Sequence, residues 1–358
     1  ALGLAFDGAL GLGLLAYLVL LLGLVHLLYA PALVAAVALL FLLGCRQLRS
    51  LFHQAQQVRW PLDPLGGVLA AALIVCCGAT FVRNLSPPST EEWDSLVYHL
   101  AAPKLFLQHH RIFFIDYDHH TNFPFTMEML YTLGLGLHSD RLAKLFHLAA
   151  YLLTLTALIG AGRAFPLSCE RRHPACPGGA DGDGVAGDGS TGLLAALVFA
   201  SLPVAAWEAS TAYVDVGLAL YVLLALLALN RYLGCQHGAR TPSAAAPGSA
   251  DGLPAGSAGG RPASSAGVSL APSPRAWLAL SGILCGFALG VKMTALGALI
   301  FICGALLSVG LWRRRVREAI VSTALAGGLA VAVACPWYIK SAIYTGNPVF
   351  PFFYGVFD

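Results

Sequence analysis

The stretch Ser89–Phe125, STEEWDSLVYHLAAPKLFLQHHRIFFIDYDHHTNFPF, concentrates titratable side chains in a chain that is otherwise mostly hydrocarbon. It carries seven acidic or basic residues and five histidines, whereas only 11% of the whole chain is charged. A carboxylate in such a stretch can act as a general base or bind a divalent cation. Asp94 is the strongest candidate because apolar and aromatic residues flank it, while Glu91 and Glu92 are expected nearer the solvated end.

A simpler explanation of these carboxylates is also open. Residues Asp94–His109 predict an amphipathic helix that lies flat on an outer surface. Its apolar side would consist of Leu96, Leu100, Pro103 and Leu107. Ser89 or Thr90 would cap its start, and the acidic residues would then only complement the helix dipole.

The histidines of the same stretch form two adjacent pairs, His109-His110 and His119-His120. Neighbouring histidines on a helix point in different directions, so a wet interfacial loop explains them better than a metal centre. Cys169, His173 and Cys176 could be metal ligands, but three residues in a loop make a poor site. His99, beside Tyr98, is more suggestive, although it could simply be a hydrogen-bonded interfacial residue.

The composition places all of this chemistry in a membrane protein. Hydrophobic residues make up 58% of the 358 residues, and apolar runs long enough to cross about 30 Å of hydrocarbon recur along the chain. A soluble core is therefore excluded, and the net charge of +3 implies no nucleic-acid partner. Nine cysteines without framework spacing argue against structural disulfides.

We expect an all-α polytopic membrane protein with about nine transmembrane helices. Residues 1–63 would hold two N-terminal helices, turning near Tyr29–Pro31, and a cytoplasmic loop. Residues 64–358 would form the remaining transmembrane core. The predicted core spans are 64–82, 141–163, 192–207, 216–233, 277–291, 293–311 and 319–337.

Arginines in the connecting segments set the expected orientation, because basic residues accumulate on the cytoplasmic side. Residues 83–140 would form an external loop with interfacial amphipathic helices, of which Phe125–Leu137 would be one. Residues 166–191 and 234–275 would be disordered cytoplasmic loops. Because the chain lacks an initiator methionine and stops in an apolar stretch, we expect it to be truncated.

On this topology several charged residues from distant loops meet at the external face. Lys292 interrupts two apolar runs, and its ammonium could bind a phosphate or could merely snorkel from a hairpin turn. Asp215 opens a span and has a plain helix-dipole explanation as well. Flanking glycines in GFALGVKMTALG would permit a tight break at Lys292.

Several of these segments resemble the GT-C superfamily of membrane glycosyltransferases. They are the acidic opening of the external loop, the segment NFPFTMEMLYTLGLGLHSDRLAKLFH, AYVD at the start of a span, the GVK hairpin, and PWYIKSAIYTGNPVFPF. The similarity runs roughly from Pro64 to Phe353. It is greatest to protein O-mannosyltransferases and aminoarabinose transferases, which use sugars linked to polyprenyl phosphate.

The resemblance implies an acidic catalytic position in the external loop, which falls on Asp94, with Glu92 or Glu91 as alternatives. It implies no certain cofactor, although a divalent cation such as Mg²⁺ or Mn²⁺ could bind at Asp94. The candidate substrate-binding residues are Tyr98, His99, Lys104, Asn122, Glu128, Arg141, Asp215, Lys292 and Lys340. Of these, Lys292, Lys340 and Arg141 would bind the phosphate, and Asp215, Glu128 and Asn122 would orient sugar hydroxyls or a cation.

The expected function is transfer of a sugar from a polyprenyl-phosphate donor to a lipid, glycan or protein acceptor. The protein would lie among the lipids of a bacterial inner membrane, with its active site on the extracytoplasmic side. A transporter is the main alternative, because charge within a membrane also marks solute paths. A noncatalytic subunit of a membrane complex is the other.

Overall fold

The computed structural model describes residues 1–56, 63–164, 189–238 and 273–357 and contains only helices and loops there. The α-helices are α1 (Leu2–Leu24), α2 (Ala30–Gln56), α3 (Pro64–Asn84), α4 (Ala101–Gln108), α5 (Thr126–Gly136), α6 (Asp140–Ala164), α7 (Gly189–Ser201), α8 (Pro203–Glu208), α9 (Asp215–Gly238), α10 (Pro274–Val291), α11 (Leu296–Trp312), α12 (Val316–Thr345) and α13 (Tyr354–Phe357). A π-helical turn covers Ser95–His99, and short 3₁₀ turns cover His119–Asn122 and Met293–Ala295.

The described residues include seven helices long and apolar enough to cross a membrane. They are Leu2–Leu24, Pro64–Asn84, Asp140–Gly162, Asp215–Gln236, Pro274–Val291, Met293–Trp312 and Val316–Thr345. Two shorter apolar helices, Ala30–Cys45 and Ser190–Ser201, accompany them. The chain is therefore an all-α, multi-pass membrane protein, as the composition predicted.

The predicted breaks between helices agree with the structure at several places. The first two helices are separated at residues 25–29, close to the expected turn. The helix after this turn runs on to Gln56, into the basic segment that was expected to form a cytoplasmic loop. Arginine, glutamine and leucine favour helix, so the basic segment after Cys45 has no reason to unwind there.

The two loops expected to be disordered lie mostly outside the described residues. Their edges are helical: residues 189–191 begin α7, residues 234–238 end α9, and 274–275 begin α10. The possible ligands Cys169, His173 and Cys176 also lie outside the described residues. The seven described cysteines are all free.

Helix α5 lies at the centre of the bundle and contradicts the surface position expected for Phe125–Leu137. It packs against α1, α4 and α6. Met129, Leu130 and Tyr131 are completely buried. The segment is too short to span a membrane, and it is buried on nearly every side within the protein, Glu128 included.

The amphipathic helix expected over Asp94–His109 is broken into two pieces, the π-helical turn and α4. The buried side of these pieces carries Ser95, His99 and Phe106, whereas Leu96, expected on the apolar side, is exposed. Asp94 precedes the π-helical turn without a side-chain capping bond, and the backbone N–H of Ser89 donates to the Oε1 of Glu92 at 3.4 Å. The extra residue in a π turn shifts every later side chain around the axis, which a regular 3.6-residue period does not anticipate.

Helices α10 and α12 approach each other closely along a row of glycines. A Cβ atom at Gly282 would lie 2.5 Å from the carbonyl oxygen of Ala326, and one at Gly286 would lie 2.6 Å from that of Ala330. Gly290 meets the indole of Trp337 in the same way. Small residues at four-residue spacing let helix backbones touch in a membrane, so this seam fixes the end of α10 against the end of α12.

Candidate active site at one end of the bundle

The connection between α8 and α9, residues 209–214, is held by hydrogen bonds from separate elements. The Asn84 amide at the end of α3 donates to the carbonyl of Ala209 at 2.9 Å. The Ser95 hydroxyl in the π-helical turn accepts from the Ala212 backbone N–H at 3.1 Å. The connection is therefore docked onto the start of the external loop predicted from the sequence.

His147 of α6 and Tyr131 of α5 complete this anchoring. The His147 ring contacts the carbonyl of Thr211 through Nδ1 at 3.2 Å and accepts from the Val216 N–H through Nε2, also at 3.2 Å. The Tyr131 hydroxyl donates to the carbonyl of Tyr213. Both histidine nitrogens are used, so the ring is neutral with its proton on Nδ1.

Asp94 lies beside this docked connection. Its backbone N–H donates to the hydroxyl of Tyr213 at 3.4 Å, and its side chain is partly buried. Burial raises the pKa of the Tyr98 hydroxyl, and the nearby Asp94 carboxylate raises it further. Tyr98 is thus a neutral hydroxyl that faces a carboxylate, an arrangement that can orient a second hydroxyl brought by a ligand.

Tyr98 is itself positioned by aromatic stacking. Its ring lies parallel to that of His120, with centroids 4.5 Å apart and an interplanar angle of 6°. Asp118 fixes His120 by contacting its ring Nδ1 at 2.8 Å and accepting from its backbone N–H at 3.1 Å. The second histidine pair therefore supports the wall of the site.

Asp215 and Lys292 form an ion pair at the same end of the bundle. The Lys292 Nζ lies 2.7 Å from the Asp215 Oδ1, and the two side chains are 43% and 45% exposed. Lys292 has extended backbone dihedral angles and separates α10 from the following 3₁₀ turn. The break thus falls on the lysine itself, whereas Gly290 lies inside α10, where a Cβ atom would lie 2.5 Å from the Oγ1 of Thr126 and 3.0 Å from the Nε1 of Trp337.

Glu208, at the end of α8, is a member of this cluster that the sequence did not single out. Burial raises its pKa from 4.5 to about 7, the carboxylates of Asp215 and Asp94 raise it as well, and Lys292 opposes them. Its Oε2 is buried and has no hydrogen-bond partner among the described residues. Glu208 opens the acidic turn EASTAYVD, residues 208–215, which the sequence shows. Only the folded arrangement brings Glu208 near the other charges.

Glu92 does not join this cluster, contrary to its place among the candidate bases. It is buried, and its Oε1 lies 3.3 Å from the Nζ of Lys144, whose side chain is only 1% exposed. Lys144 also donates to the carbonyl of Ser86 at 3.1 Å. Glu92 was expected at the solvated end, but its pairing with Lys144 of α6 pulls it inward.

His99 and Glu128 form a second buried pair. The His99 Nδ1 lies 2.6 Å from the Glu128 Oε1, and the two side chains are 5% and 2% exposed. The other oxygen of Glu128 has no hydrogen-bond partner among the described residues. Both residues were substrate-binding candidates, and the structure places them behind Tyr98 and bound to each other.

Lys340 is also buried and bound within the protein. Its Nζ donates to the carbonyls of Thr121 at 2.6 Å and Phe123 at 3.1 Å. It lies over the rings of Phe125 and Trp337, with Nζ 4.9 and 5.4 Å from their centroids. Lys340 therefore links α12 to the His119–Asn122 turn, and its ammonium is not part of the Asp215 and Lys292 cluster.

The remaining candidates are divided between the surface and a different cavity. Glu91, Lys104 and Arg141 are exposed. Asn122 is 3% exposed, and its Oδ1 has no hydrogen-bond partner among the described residues. It lines a cavity on the far side of the His119–Asn122 turn from Tyr98.

One group of the described residues has metal-ligand spacing. One ligand atom each from Asp118, His119 and His120 falls within 4.8 Å of the others, although these residues are consecutive and Asp118 is already bound to His120. Asp94, Glu208 and Asp215 do not form such a group, although their carboxylates are of the ligand type that Mg²⁺ and Mn²⁺ prefer. Comparisons with protein-family models, with curated proteins and with solved structures gave no match.

Proposed function

We propose that this protein is a membrane glycosyltransferase that transfers a sugar from a polyprenyl-phosphate donor to an acceptor hydroxyl. The observation that carries the proposal is the partly buried carboxylate of Asp94 near the exposed ion pair of Lys292 and Asp215. The charges of Asp94, Asp215 and Lys292 all act on the pKa of Glu208, and those of Asp94 and Asp215 act on the pKa of Tyr98, so these charges lie within electrostatic range of the same two side chains. A base and a cation at the same end of the bundle are the two groups that such a transfer needs.

An apolar groove beside Lys292 supports a lipid-linked donor. The groove has a volume of about 690 Å³ and runs between α10, α11, α12 and the segment after α12. Met293, directly after Lys292, lines it together with Leu289, Tyr338 and Phe352. A prenyl chain in this groove would place its phosphate near the lysine.

The proposed sugar transfer uses Asp94 and Lys292 as follows. Asp94 accepts the proton of the acceptor hydroxyl, whose oxygen forms a bond to the anomeric carbon of the sugar. The bond between that carbon and the phosphate oxygen breaks, and polyprenyl phosphate leaves with the electron pair. Lys292 has three N–H donors and uses one on Asp215, so the others can bind the leaving phosphate.

The proposal includes a divalent cation bound at Asp94. Carboxylates such as those of Asp94, Asp215 and Glu208 are oxygen ligands of the type that Mg²⁺ prefers, although in the described residues these three do not bring one ligand atom each within 4.8 Å of one another. A bound cation would supply additional positive charge for the leaving phosphate. Treatment of the purified protein with a chelator, followed by return of Mg²⁺ or Mn²⁺, tests this requirement.

The decisive experiment measures sugar transfer from polyprenyl-phosphate donors in vesicles that contain the protein. The variants are Asp94→Asn and, as a matched comparison, Glu91→Gln, which removes an exposed carboxylate three residues away. We expect Asp94→Asn to lower turnover at least about 100-fold, since general-base catalysis typically contributes that much. Full transfer by Asp94→Asn would overturn the assignment of the base, and no transfer by the wild type with any donor would favour the transporter or the noncatalytic subunit.

A further inference from the structure

A second polar cavity lies on the other side of the His119–Asn122 turn from Tyr98. Its volume is about 300 Å³, at the lower end of the usual range for ligand pockets. One wall comes from residues 114–122 and the other from the end of α12 and the segment that follows it. The proposed transfer chemistry leaves this cavity unused.

The polar side chains that line the cavity include Asn122, Asp116, His119 and Tyr344. Asn122 is almost completely buried, and its Oδ1 reaches no hydrogen-bond donor among the described residues. Asp116 and His119 line the same cavity and are exposed. A buried acceptor without a partner costs stability, so a ligand or water that donates to it is favoured.

Aromatic rings form the apolar part of the lining. Phe114 and Tyr344 contact each other across it, with ring centroids 5.7 Å apart. Phe350 contributes a third ring. Rings beside a few acceptors and a carboxylate suit a ligand that has both C–H faces and O–H donors.

The second wall is rigid because Asn347 uses its side chain internally. Its amide nitrogen donates to the carbonyl of Phe352 at 2.8 Å, and its Oδ1 accepts from the Val349 N–H at 2.9 Å. Thr345 accepts from the Asn347 N–H as well. The polar groups that remain for a ligand therefore belong to residues 116–122 and to the Tyr344 hydroxyl.

We propose that this cavity is a saccharide-binding subsite in which Asp116 and Asn122 accept hydrogen bonds from sugar hydroxyls while Phe114 and Tyr344 contact the ring. A neutral polyol fits better than a phosphate, since Asp116 contributes a carboxylate and the described lining contains no lysine or arginine. The proposal rests on the proposed glycosyltransferase function for its biological role, but the binding itself does not require turnover. The same chemistry would suit the sugar of the donor or that of a glycan acceptor.

Saturation-transfer NMR on the full chain in lipid nanodiscs, free of sugar-based detergents, tests the subsite directly. The probes are methyl glycosides of glucose, galactose, mannose and N-acetylglucosamine. We expect at least one to bind, and we expect Asp116→Asn and Phe114→Leu each to weaken binding about tenfold, the effect of losing one good contact. Asp140→Asn and Tyr117→Leu, which change exposed or partly exposed residues outside the cavity, are the matched controls.

The outcomes separate this proposal from the previous one, because the NMR samples contain no donor and carry out no transfer. Failure of every glycoside to bind would overturn the subsite, even if the protein transfers sugar. Binding that is unchanged in both cavity variants, or Ca²⁺ binding there without glycoside binding, would overturn it as well. In transfer assays, a higher KM for the acceptor in Asp116→Asn assigns the subsite to the acceptor, and a higher KM for the donor assigns it to the donor.

Discussion

The ammonium of Lys292 lies 2.7 Å from the carboxylate of Asp215 and joins the end of α10 to the start of α9. Both side chains are almost half exposed, so the pair contributes little to stability, typically about 0–1 kcal/mol. An exposed ion pair that stabilises so little is free to exchange partners. A phosphate can therefore bind the ammonium of Lys292 in place of Asp215 without unfolding the bundle.

The first prediction concerns that lysine. Lys292→Met should lower transfer at least about tenfold with little change in thermal stability, because it removes the charge that would meet the phosphate. Lys292→Arg should retain more activity than Lys292→Met. Arg83→Met, an exposed cation at the end of α3, is the control, and equal losses in both methionine variants would point to a general charge effect.

A second prediction separates Glu92 from Asp94. Breaking a buried ion pair on one side costs about 3–5 kcal/mol, so Glu92→Gln should lower the melting temperature markedly. The double variant Glu92→Leu with Lys144→Met should recover much of that loss, since no buried charge remains. The measurement is thermal unfolding of the single and double variants, and an unchanged melting temperature in Glu92→Gln would contradict the buried pair.

The third prediction follows from the raised pKa of Glu208. The folded protein holds this proton up to about pH 7, whereas an ordinary glutamate releases it near 4.5. Stability from this group is therefore complete below about pH 4.5 and is lost as the pH rises through about 7. Thermal unfolding from pH 5 to 8 should show this decline in the wild type and a flatter profile in Glu208→Gln.

The fourth prediction tests the docked connection before α9. Ser95→Ala leaves the N–H of Ala212 buried without its acceptor, which costs about 1–3 kcal/mol. Turnover should fall together with stability, because Asp94 lies next to this contact. Ser95→Thr keeps a hydroxyl acceptor and should restore both, whereas an Ser95→Ala protein with normal stability would show that the contact is dispensable.

Composition and apolar run length were enough to predict the membrane class and most helix positions. They failed for α5, where the apolar segment Phe125–Leu137 was assigned to a surface and is instead buried. Length alone does not locate this helix. It shows only that the helix is too short to span a membrane, which is true of a surface helix and of a buried one. The neighbours that cover α5 come from distant parts of the chain.

The candidate site was predicted only in part for a similar reason. Asp94, Asp215 and Lys292 could be selected because they interrupt apolar sequence, and the structure brings them to one end. Glu208 was missed and Glu92 was misplaced because their surroundings depend on Lys144, Tyr213 and the docked connection. Spacing along a chain does not report which of two adjacent carboxylates turns inward.

The hydrogen bond from Ala212 to Ser95 links residues 117 positions apart and has a consequence for biogenesis. Bringing such distant segments together has an entropic cost that is recovered only when both are present. A nascent chain that has emerged only as far as Ala164 would contain Asp94 but neither Glu208 nor Asp215 beside it. The charged cluster therefore forms only after Asp215 and Lys292 have been synthesised, well after Asp94.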